Sequence, residues 1–443
     1  MNNIIPSWTY QYDLNKHREE YLNIFNRVLD SGRLLFGKEL ENFEKNFSEY
    51  IGTSHAVGCD NATNGIFLSL KTIGISRGDY VITVPNTAIP TVSAIRQAGA
   101  IPIFVDVNEH ALLDSNNLQK VLSPNVKAII PVHLYGYPCE MKEICEIASA
   151  YNIPVIEDCS QAHGSQLENK KVGSFGDLSV FSFYPTKSLG GFGDAGIICT
   201  NNNKYKETLL KLRFYGIEKN YIANIEGYNS RMDEIHAGIL NSKLKRLDDN
   251  INYRNEIRSI YKEKITNKKL SIIPNPSSSI ISNYLIPFLY EGDRDEFQKL
   301  LFANGIGSNI SYRTPIYSMP AYKYLNYNKE EFPFTEKFCQ SNISLPIFDY
   351  IPLDIVEKVI KVINSIDWFN CLIMKRRRLC EEINTSELTF GSMRFEFDSD
   401  FEAEKLLRES INIGINTFHS SFEYPCHSYF AYIFGKVKKD FPS

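Results

Sequence analysis

The sequence lacks the features that mark several large functional classes. Its 443 residues carry a formal net charge of -4, so the basic excess typical of nucleic-acid-binding proteins is absent. No apolar run is long enough to cross a lipid bilayer. The first eight residues, MNNIIPSW, lack the charged-then-apolar order of a signal peptide. We therefore expect a cytoplasmic protein whose partners include neither nucleic acid nor a membrane.

Cysteine and histidine are too dispersed to indicate a structural framework. The nine cysteines include no C-x-x-C pair, and the eight histidines do not cluster along the chain. Free thiols in a reducing cytoplasm explain this spacing better than disulfides or a zinc site. The sequence therefore predicts no metal centre.

What the sequence does contain is an alternation of strand and helix patterns. Short apolar runs typical of buried strands are separated by helical repeats, and they lie at 56–58, 80–84, 101–107, 128–133, 154–158, 178–183 and 197–200. This alternation predicts an α/β fold with a mostly parallel sheet covered by helices on both faces. Ligands in such sheets bind beyond the carboxyl ends of the strands.

The length and the order of the patterns predict three regions. Residues 1–250 form a large domain with N-terminal helices, and residues 251–366 form a smaller C-terminal α+β domain. One long helix over 233–265 is expected to connect them.

The extension at 367–443 has a role that the sequence does not indicate. It shows a strand, helix, strand order at 393–397, 402–409 and 413–418. Its Lys-Leu-Leu at 405–407 matches the one at 299–301. We interpret the extension as a degenerate repeat of the small-domain unit.

A single lysine, Lys187, follows a buried strand pattern on a turn rich in Ser, Thr and Gly. A lysine is costly to bury, and a positioned lysine amine can form a Schiff base with pyridoxal phosphate. The alternative is a surface lysine on a loop. The nearby residues 191–196 match G-x-G-x-x-G, but a strand pattern rather than a helix follows them, which argues against a dinucleotide site.

Three further positions bear on the same hypothesis. Asp158 ends an apolar strand, where a carboxylate is costly unless it is paired with a group such as a protonated pyridine nitrogen. A helix cap or an ion pair is the alternative. At Ala62 and Thr63 a strand turns into a helix whose free backbone N–H groups could bind a phosphate, unless this is an ordinary capped helix.

His133 is interpreted as a satisfied, half-buried histidine rather than a catalyst.

Six ordered motifs resemble those of the DegT/DnrJ/EryC1/StrS sugar aminotransferases. They are GDYVI at 78–82, GAIPIFVD at 99–106, PVHLYG at 131–136, VIEDCSQAHG at 155–164, SFYPTK at 182–187 and GYNSR at 227–231. The resemblance extends from about residue 36 to residue 366, and a chance match of the ordered set is not credible. It implies the aspartate-aminotransferase-like fold, fold type I, and a transaminase that uses pyridoxal 5'-phosphate.

The resemblance also implies roles for individual residues. Lys187 would hold the cofactor and serve as the catalytic base and acid. The other implied cofactor contacts are Asp158 at the pyridine nitrogen, Gln161 near the ring oxygen, and Ala62, Thr63 and Ser182 at the phosphate. Asn229 would reach the phosphate of the neighbouring subunit, so a homodimer with shared active sites is expected. The candidate substrate contacts are Tyr184, Tyr312 and Tyr317.

The substrates implied by the resemblance are glutamate and a nucleotide-linked keto deoxysugar used in cell-surface polysaccharide or glycoside biosynthesis. Segments 212–219 and 226–231 are most similar to the branch that aminates C3 of dTDP-3-oxo-6-deoxyhexoses. Amination at C4 is the alternative. A dehydratase on the same fold would have histidine in place of Lys187.

One substitution departs from the family pattern. The family usually has an aromatic residue against the cofactor ring, and this sequence has Ala88 there. Weaker cofactor retention is implied, and a catalytically retired regulator or scaffold on the same fold remains an alternative. The presence of Lys187, Asp158 and Gln161 argues against a retired site, which would lose its costly polar groups.

Overall fold

The computed structural model describes residues 4–370, 376–380, 383–386, 390–391, 400–412, 415, 418–419 and 427–438. The chain forms two compact units, Met1–Ile360 and Lys361–Ser443. The predicted division near residue 250 stays a prediction. None of the helices within the described ranges combines the length and the apolarity that a bilayer crossing requires.

A mixed sheet lies at the centre of the first unit. Its strands are β1 His55–Cys59, β2 Tyr80–Thr83, β3 Ile101–Phe104, β4 Val126–Ile129, β5 Ile156–Asp158, β6 Leu178–Ser182 and β7 Gly196–Thr200. The pairing orders are β1-β7-β6-β5 and β3-β2-β4, and parallel bridges from Ile129 to Val155 and from Val132 to Asp158 join β4 to β5. β7 is antiparallel to both neighbours, whereas the other pairs are parallel. The predicted mostly parallel sheet is confirmed.

Helices fill the connections between these strands and extend beyond them. The α-helices of the first unit are α1 Gln11–Ser31, α2 Lys38–Ile51, α3 Ala62–Thr72, α4 Ile89–Gln97, α5 Ser115–Val121, α6 Met141–Ala150, α7 Asn203–Leu212, α8 Glu234–Leu244, α9 Leu247–Lys264, α10 Arg294–Ala303 and α11 Pro333–Ser341. Short 3-10 turns occupy Leu134–Gly136, Ile316–Ser318, Pro320–Leu325 and Lys329–Glu331. The boundary between the two units falls within α12, Leu353–Asn370.

Both faces of the sheet are buried under helices. In β6, Val180 packs into an apolar cluster with Ile66 of α3. The next residue, Phe181, points to the opposite face and packs with Phe43 and Phe47 of α2. Because successive strand residues point to opposite faces, a strand covered on both sides is apolar throughout, as the uninterrupted apolar runs of the sequence predicted.

A second, antiparallel sheet follows in the chain. It consists of β8 Leu270–Ile272, β9 Ile286–Tyr290 and β10 Asn342–Leu345, paired in that order. The first unit also contains a small three-stranded antiparallel sheet, in which Gln166–Leu167 pairs with Lys170–Lys171 and with Ser279–Ile280. A short hairpin pairs Ile217–Lys219 with Ile222–Ala223.

The prediction of one long helix over 233–265 is wrong, because the chain breaks between α8 and α9. Arg246 lies at the break with non-helical backbone angles. Its guanidinium donates hydrogen bonds to Glu20 at 3.1 Å and to the Tyr21 hydroxyl at 2.9 Å, both on α1. These partners are more than 220 residues away along the chain, so helical periodicity could not reveal them.

The second unit contains its own small apolar core. Helices α13 Asp400–Asn412 and α14 His427–Lys438 pack through a cluster of Ala403, Leu407, Phe430, Ile433 and Val437. Strand Arg376–Cys380 pairs with Ile383–Ser386, and Phe390–Gly391 pairs with Phe418–His419. The predicted helix over 402–409 is confirmed, whereas the predicted strand at 393–397 lies outside the described residues.

The repeat hypothesis has one point of support in these helices. Leu301 in α10 and Leu407 in α13 close the two Lys-Leu-Leu sequences, and both side chains are fully buried. The interpretation of 367–443 as a degenerate repeat stays a prediction.

Candidate active site

A pocket of about 250 Å³ lies at the carboxyl ends of β5 and β6, against the starts of α3 and α4. Seven of the residues singled out from the sequence line it together: Ala62, Thr63, Asp158, Gln161, Ser182, Tyr184 and Lys187. They come from three separate stretches of the chain, 62–63, 158–161 and 182–187. The sheet brings them together because parallel strands end at the same edge.

One end of the pocket is an anion cradle at the start of α3. The side chain of Asn61 caps the helix by accepting a hydrogen bond from the backbone N–H of Asn64 at 2.8 Å. The N–H groups of Ala62 and Thr63 belong to the first turn, which has no intrahelical acceptors. They are therefore available to an anion, favoured there by the helix dipole as well.

Two glycines allow α3 to approach the sheet this closely. A Cβ atom at Gly196 would lie 2.9 Å from the backbone nitrogen of Ala62, and one at Gly65 would lie 2.7 Å from Cγ1 of Val180. Any side chain at these positions would push the helix outward. The last glycine of the G-x-G-x-x-G match, Gly196, therefore has a packing role here, and β7 follows it as predicted.

Lys187 lies on the turn that follows β6. Its backbone N–H donates to the carbonyl of Tyr184 at 2.9 Å. Its ammonium nitrogen lies 4.5 Å from the centre of the Tyr284 ring, and the Tyr284 hydroxyl is 3.1 Å from the Thr186 hydroxyl. This cation–π contact holds the half-buried amine at the pocket wall, so Lys187 is not a freely solvated loop lysine.

Asp158 is a buried carboxylate that forms no ion pair with the residues that the structure describes. Its side chain is 4% exposed, and within the described ranges no lysine, arginine or histidine nitrogen forms an ion pair with it. Its oxygens accept hydrogen bonds from the Thr91 hydroxyl at 2.8 Å and from the backbone N–H of Ser160 at 3.1 Å. A structural ion pair, one alternative for this residue, is thereby excluded among these residues. A buried anion facing a pocket is suited to a cationic ligand.

Gln161 connects the pocket to a later segment of the chain. Its side-chain oxygen accepts from the backbone N–H of Tyr135 at 2.8 Å, and its amide nitrogen donates to the Tyr312 hydroxyl at 2.9 Å. Burial raises the pKa of Tyr312, which keeps this hydroxyl protonated and able to donate a hydrogen bond of its own. Tyr312 thus reaches the site through Gln161.

Three of the predicted cofactor and substrate contacts lie outside the pocket lining: Tyr312, which is described above, Asn229 and Tyr317. Asn229 is exposed and forms a backbone bridge to Phe214. Tyr317 is buried, stacks on Phe332, and donates its hydroxyl to Glu336 at 2.6 Å. The placement of Tyr317 does not support its predicted contact with substrate. The predicted roles of Asn229 and Tyr317 both stay predictions.

Sequence reasoning missed three residues at this site. Thr91 contacts Asp158 from the first turn of α4, Asp194 lines the pocket, and Tyr284 lies under Lys187. The only signal for Thr91 was its position four residues after Thr87, which places both hydroxyls on one side of a helix start. Ala88 also lines the pocket, as the N-cap of α4.

The interpretation of His133 as a satisfied histidine is confirmed, although the ring is fully rather than half buried. Its ring contacts a Glu157 oxygen at 3.1 Å and accepts from the backbone N–H of Cys139 at 3.0 Å. His133, Glu157 and Cys159 are close enough together to hold a metal ion. However, Glu157 already accepts hydrogen bonds from three backbone N–H groups of the loop at 173–176. Its carboxylate therefore holds this loop in place.

The buried His163 makes folding stability depend on pH. Burial, together with the charge of Lys187, lowers the pKa of His163 to about 3. As the pH falls through the ordinary pKa near 6.5, the unfolded chain takes up a proton that the folded chain does not, so stability decreases. We expect the apo-protein to lose about 2 kcal/mol from this group between pH 7 and pH 5, measured by urea unfolding at both pH values.

His163→Leu should remove that part of the pH dependence. The ring packs between Phe181 and Phe183, a surrounding that tolerates leucine. His55→Gln, which removes a partly exposed imidazole, is the control. If His163→Leu keeps the wild-type slope, the buried histidine is not its source.

The pocket fits pyridoxal phosphate at three points. The N–H groups of Ala62 and Thr63 suit the phosphate, and Lys187 provides the amine. The carboxylate of Asp158, which has no ion-pair partner among the described residues, suits a protonated ring nitrogen. All three border one cavity. The residues present can therefore hold this cofactor.

Comparison with known proteins gives concordant results. The model of the DegT/DnrJ/EryC1/StrS aminotransferase family matches residues 15–364. A dTDP-3-amino-3,4,6-trideoxy-alpha-D-glucose transaminase of Micromonospora megalomicea subsp. nigra is 36% identical over 368 residues, covering 81% of this chain and 98% of the relative.

Two solved structures are similar to this one. The crystal structure of S. venezuelae DesV in complex with a ketimine intermediate has a TM-score of 0.80 and 32% identity, covering 83% of this chain and 99% of that chain. The crystal structure of ntda from Bacillus subtilis with bound cofactor PMP has a TM-score of 0.75 and 25% identity, covering 83% and 86%. The family match ends at residue 364, so most of the second unit lies outside it.

Proposed function

Because the chain belongs to the DegT/DnrJ/EryC1/StrS aminotransferase family and is a pyridoxal-phosphate-dependent sugar aminotransferase, we propose that it moves an amino group from glutamate to C3 of a dTDP-3-oxo-6-deoxyhexose. The product would be an amino sugar for cell-surface polysaccharides or glycosides. The observation that carries the site assignment is Asp158, a nearly buried carboxylate without an ion-pair partner among the described residues, which borders the same cavity as Lys187.

Each side chain has a defined task in this proposal. Pyridoxal phosphate, when bound, supplies an electron sink for the carbon that carries the amino group. Asp158 holds the proton on the ring nitrogen. Lys187 moves a proton between the donor carbon and the cofactor carbon, acting as base and then as acid. The Ala62 and Thr63 N–H groups and the Ser182 hydroxyl hold the phosphate. One pocket serves both half-reactions, so ping-pong kinetics are expected.

The choice of C3 is supported by sequence similarity. The dTDP-3-amino sugar transaminase that aligns with 81% of this chain and the similarity of segments 212–219 and 226–231 to the C3 branch favour this carbon. Amination at C4 is the second candidate. A retired scaffold is disfavoured by the pocket, because Asp158, Gln161 and Lys187 all still border it.

The homodimer is part of the same proposal. Asn229 is exposed, and the hairpin that precedes it exposes 85% of Tyr221 and 60% of Ile222. The outer face of α1 likewise exposes Leu22 and Leu29. Apolar surface of this kind is typical of a subunit interface. Asn229 would act in the partner's pocket rather than in its own.

A mixing experiment tests the shared site. Asn229→Ala should weaken cofactor retention, and Lys187→Ala should lack turnover. Unfolded and refolded together, they form mixed dimers in which one pocket has both wild-type residues, so about a quarter of wild-type activity should return with equal random mixing. The measurement is turnover of the mixture against each variant alone. A mixture with only about half the activity of Asn229→Ala alone, as simple dilution by the inactive Lys187→Ala chain gives, would place Asn229 and Lys187 in one chain's site.

The half-reaction with glutamate tests the function itself. The purified protein with added pyridoxal phosphate should show the visible absorbance band of a lysine-bound cofactor, and glutamate should convert it to the aminated form with release of 2-oxoglutarate. Lys187→Ala is the control for the band. A band that responds to alanine or aspartate but not to glutamate would overturn the donor, and no band at all would overturn the site.

A further inference from the structure

The carboxylate of Asp158 is positioned by a chain of two threonine hydroxyls. The Thr91 hydroxyl lies 2.8 Å from one Asp158 oxygen, and the Thr87 hydroxyl lies 2.9 Å from that of Thr91. Thr91 is 1% exposed and Thr87 is 2% exposed. This chain of hydroxyls therefore has almost no contact with solvent.

The direction of the hydrogen bonds follows from the chemistry of the acceptor. An ionised carboxylate can only accept, and a hydroxyl has one proton to donate. Thr91 must therefore give its proton to Asp158, which leaves its own oxygen to accept from Thr87. The Thr91 hydroxyl is therefore fixed both as a donor and as an acceptor. Its fixed position in turn fixes the orientation of the Asp158 oxygen that it contacts.

We propose that Thr91, held by Thr87, is a positioning residue that keeps the Asp158 carboxylate aimed at the cofactor ring nitrogen. Asp158 accepts two hydrogen bonds, from the Thr91 hydroxyl and from the Ser160 N–H. No ion pair among the described residues fixes its orientation instead. This inference rests on the proposed role of Asp158.

Loss of the Thr91 hydroxyl should let the Asp158 carboxylate turn away from the ring nitrogen. The ring nitrogen would then hold its proton less firmly, and the ring would lose positive charge. A less positive ring stabilises the carbanion less well, and it also raises the pKa of the imine that Lys187 forms with the cofactor. A purely structural hydroxyl would change neither quantity.

The test compares Thr91→Val with Thr91→Ser in the cofactor-loaded enzyme. Thr91→Val keeps the shape and removes the hydroxyl, so kcat should fall about 10- to 100-fold. The KM for glutamate should stay within about threefold, since substrate binding is not involved. The midpoint of the pH titration followed by the absorbance band of the lysine-bound cofactor should rise. Thr91→Ser should restore both kcat and the midpoint, because it restores the donor.

Thr83→Val is the matched control. Thr83 is also fully buried and donates its hydroxyl to the carbonyl of Ile130 at 3.0 Å, on the same sheet but outside the pocket lining. Both valine variants lose a buried hydrogen bond and should unfold at similar temperatures as apo-proteins. Only Thr91→Val should shift the pH midpoint.

Two results would overturn the proposal, and they are distinguishable. If Asp158→Asn shifts the absorbance midpoint but Thr91→Val leaves it and kcat at wild-type values, Thr91 does not position the carboxylate. If Asp158→Asn itself leaves the midpoint unchanged, the assigned role of Asp158 is wrong and the inference falls with it.

Discussion

Replacing Lys187 with alanine is expected to lower the rate of transamination by about 10⁴-fold or more, because the variant has no amine to bind the cofactor or to move the proton. The phosphate cradle and Asp158 remain in place, so cofactor should still bind noncovalently. Stopped-flow measurement of the glutamate half-reaction gives the rate. The absorbance spectrum shows whether the lysine-bound band is lost.

Lys171→Ala is the matched control for this variant. Lys171 also lies over a tyrosine ring, at 3.6 Å from the centre of Tyr50, but it pairs with Asp248 away from the pocket. Its loss should leave the half-reaction near the wild-type rate. Turnover by Lys187→Ala within about 100-fold of the wild-type rate, and not accounted for by free cofactor, would contradict the assigned mechanism.

Asp158→Asn is expected to lower kcat by about 10³-fold, since a neutral amide no longer keeps the ring nitrogen protonated. The apo-protein should be at least as stable as the wild type, because the carboxylate is buried and has no ion-pair partner among the described residues. The two measurements are steady-state kinetics of the loaded enzyme and thermal unfolding of the apo-form. Opposite effects on activity and stability are typical of a functional group kept at a cost in stability.

Asp106→Asn separates this effect from the loss of a buried carboxylate in general. Asp106 is 8% exposed and accepts two backbone N–H groups at the start of α11, outside the pocket lining. Its replacement should change stability and leave the cofactor chemistry intact. Near-normal turnover by Asp158→Asn would remove the electron-sink role.

The parts of the site that could be predicted lie where strands end. Lys187, Asp158 and Ala62 each follow an apolar run, and a parallel sheet brings such ends together whatever the details of packing. The predicted mixed sheet and its β7 strand follow from the same local patterns. These features depend on sequence periodicity and on topology, both of which can be read along the chain.

The parts that could not be predicted depend on pairs that are distant in sequence. Thr91 meets Asp158 across 67 positions. Arg246, at the break in the helix predicted over 233–265, contacts Glu20 and Tyr21 on α1. Tyr317 donates its hydroxyl to Glu336 and does not line the pocket. Each of these residues is polar and could have pointed to solvent, so only the folded structure identifies its partner.

The proposed function is tested most directly by identifying the sugar carbon that receives the transferred nitrogen. The loaded enzyme is incubated with a dTDP-3-oxo-6-deoxyhexose and ¹⁵N-glutamate, and the sugar product is examined by NMR. We predict ¹⁵N bonded to C3, with 2-oxoglutarate formed in equal amount. A product labelled at C4 from the 4-oxo isomer, with no label from the 3-oxo sugar, would contradict the proposed substrate.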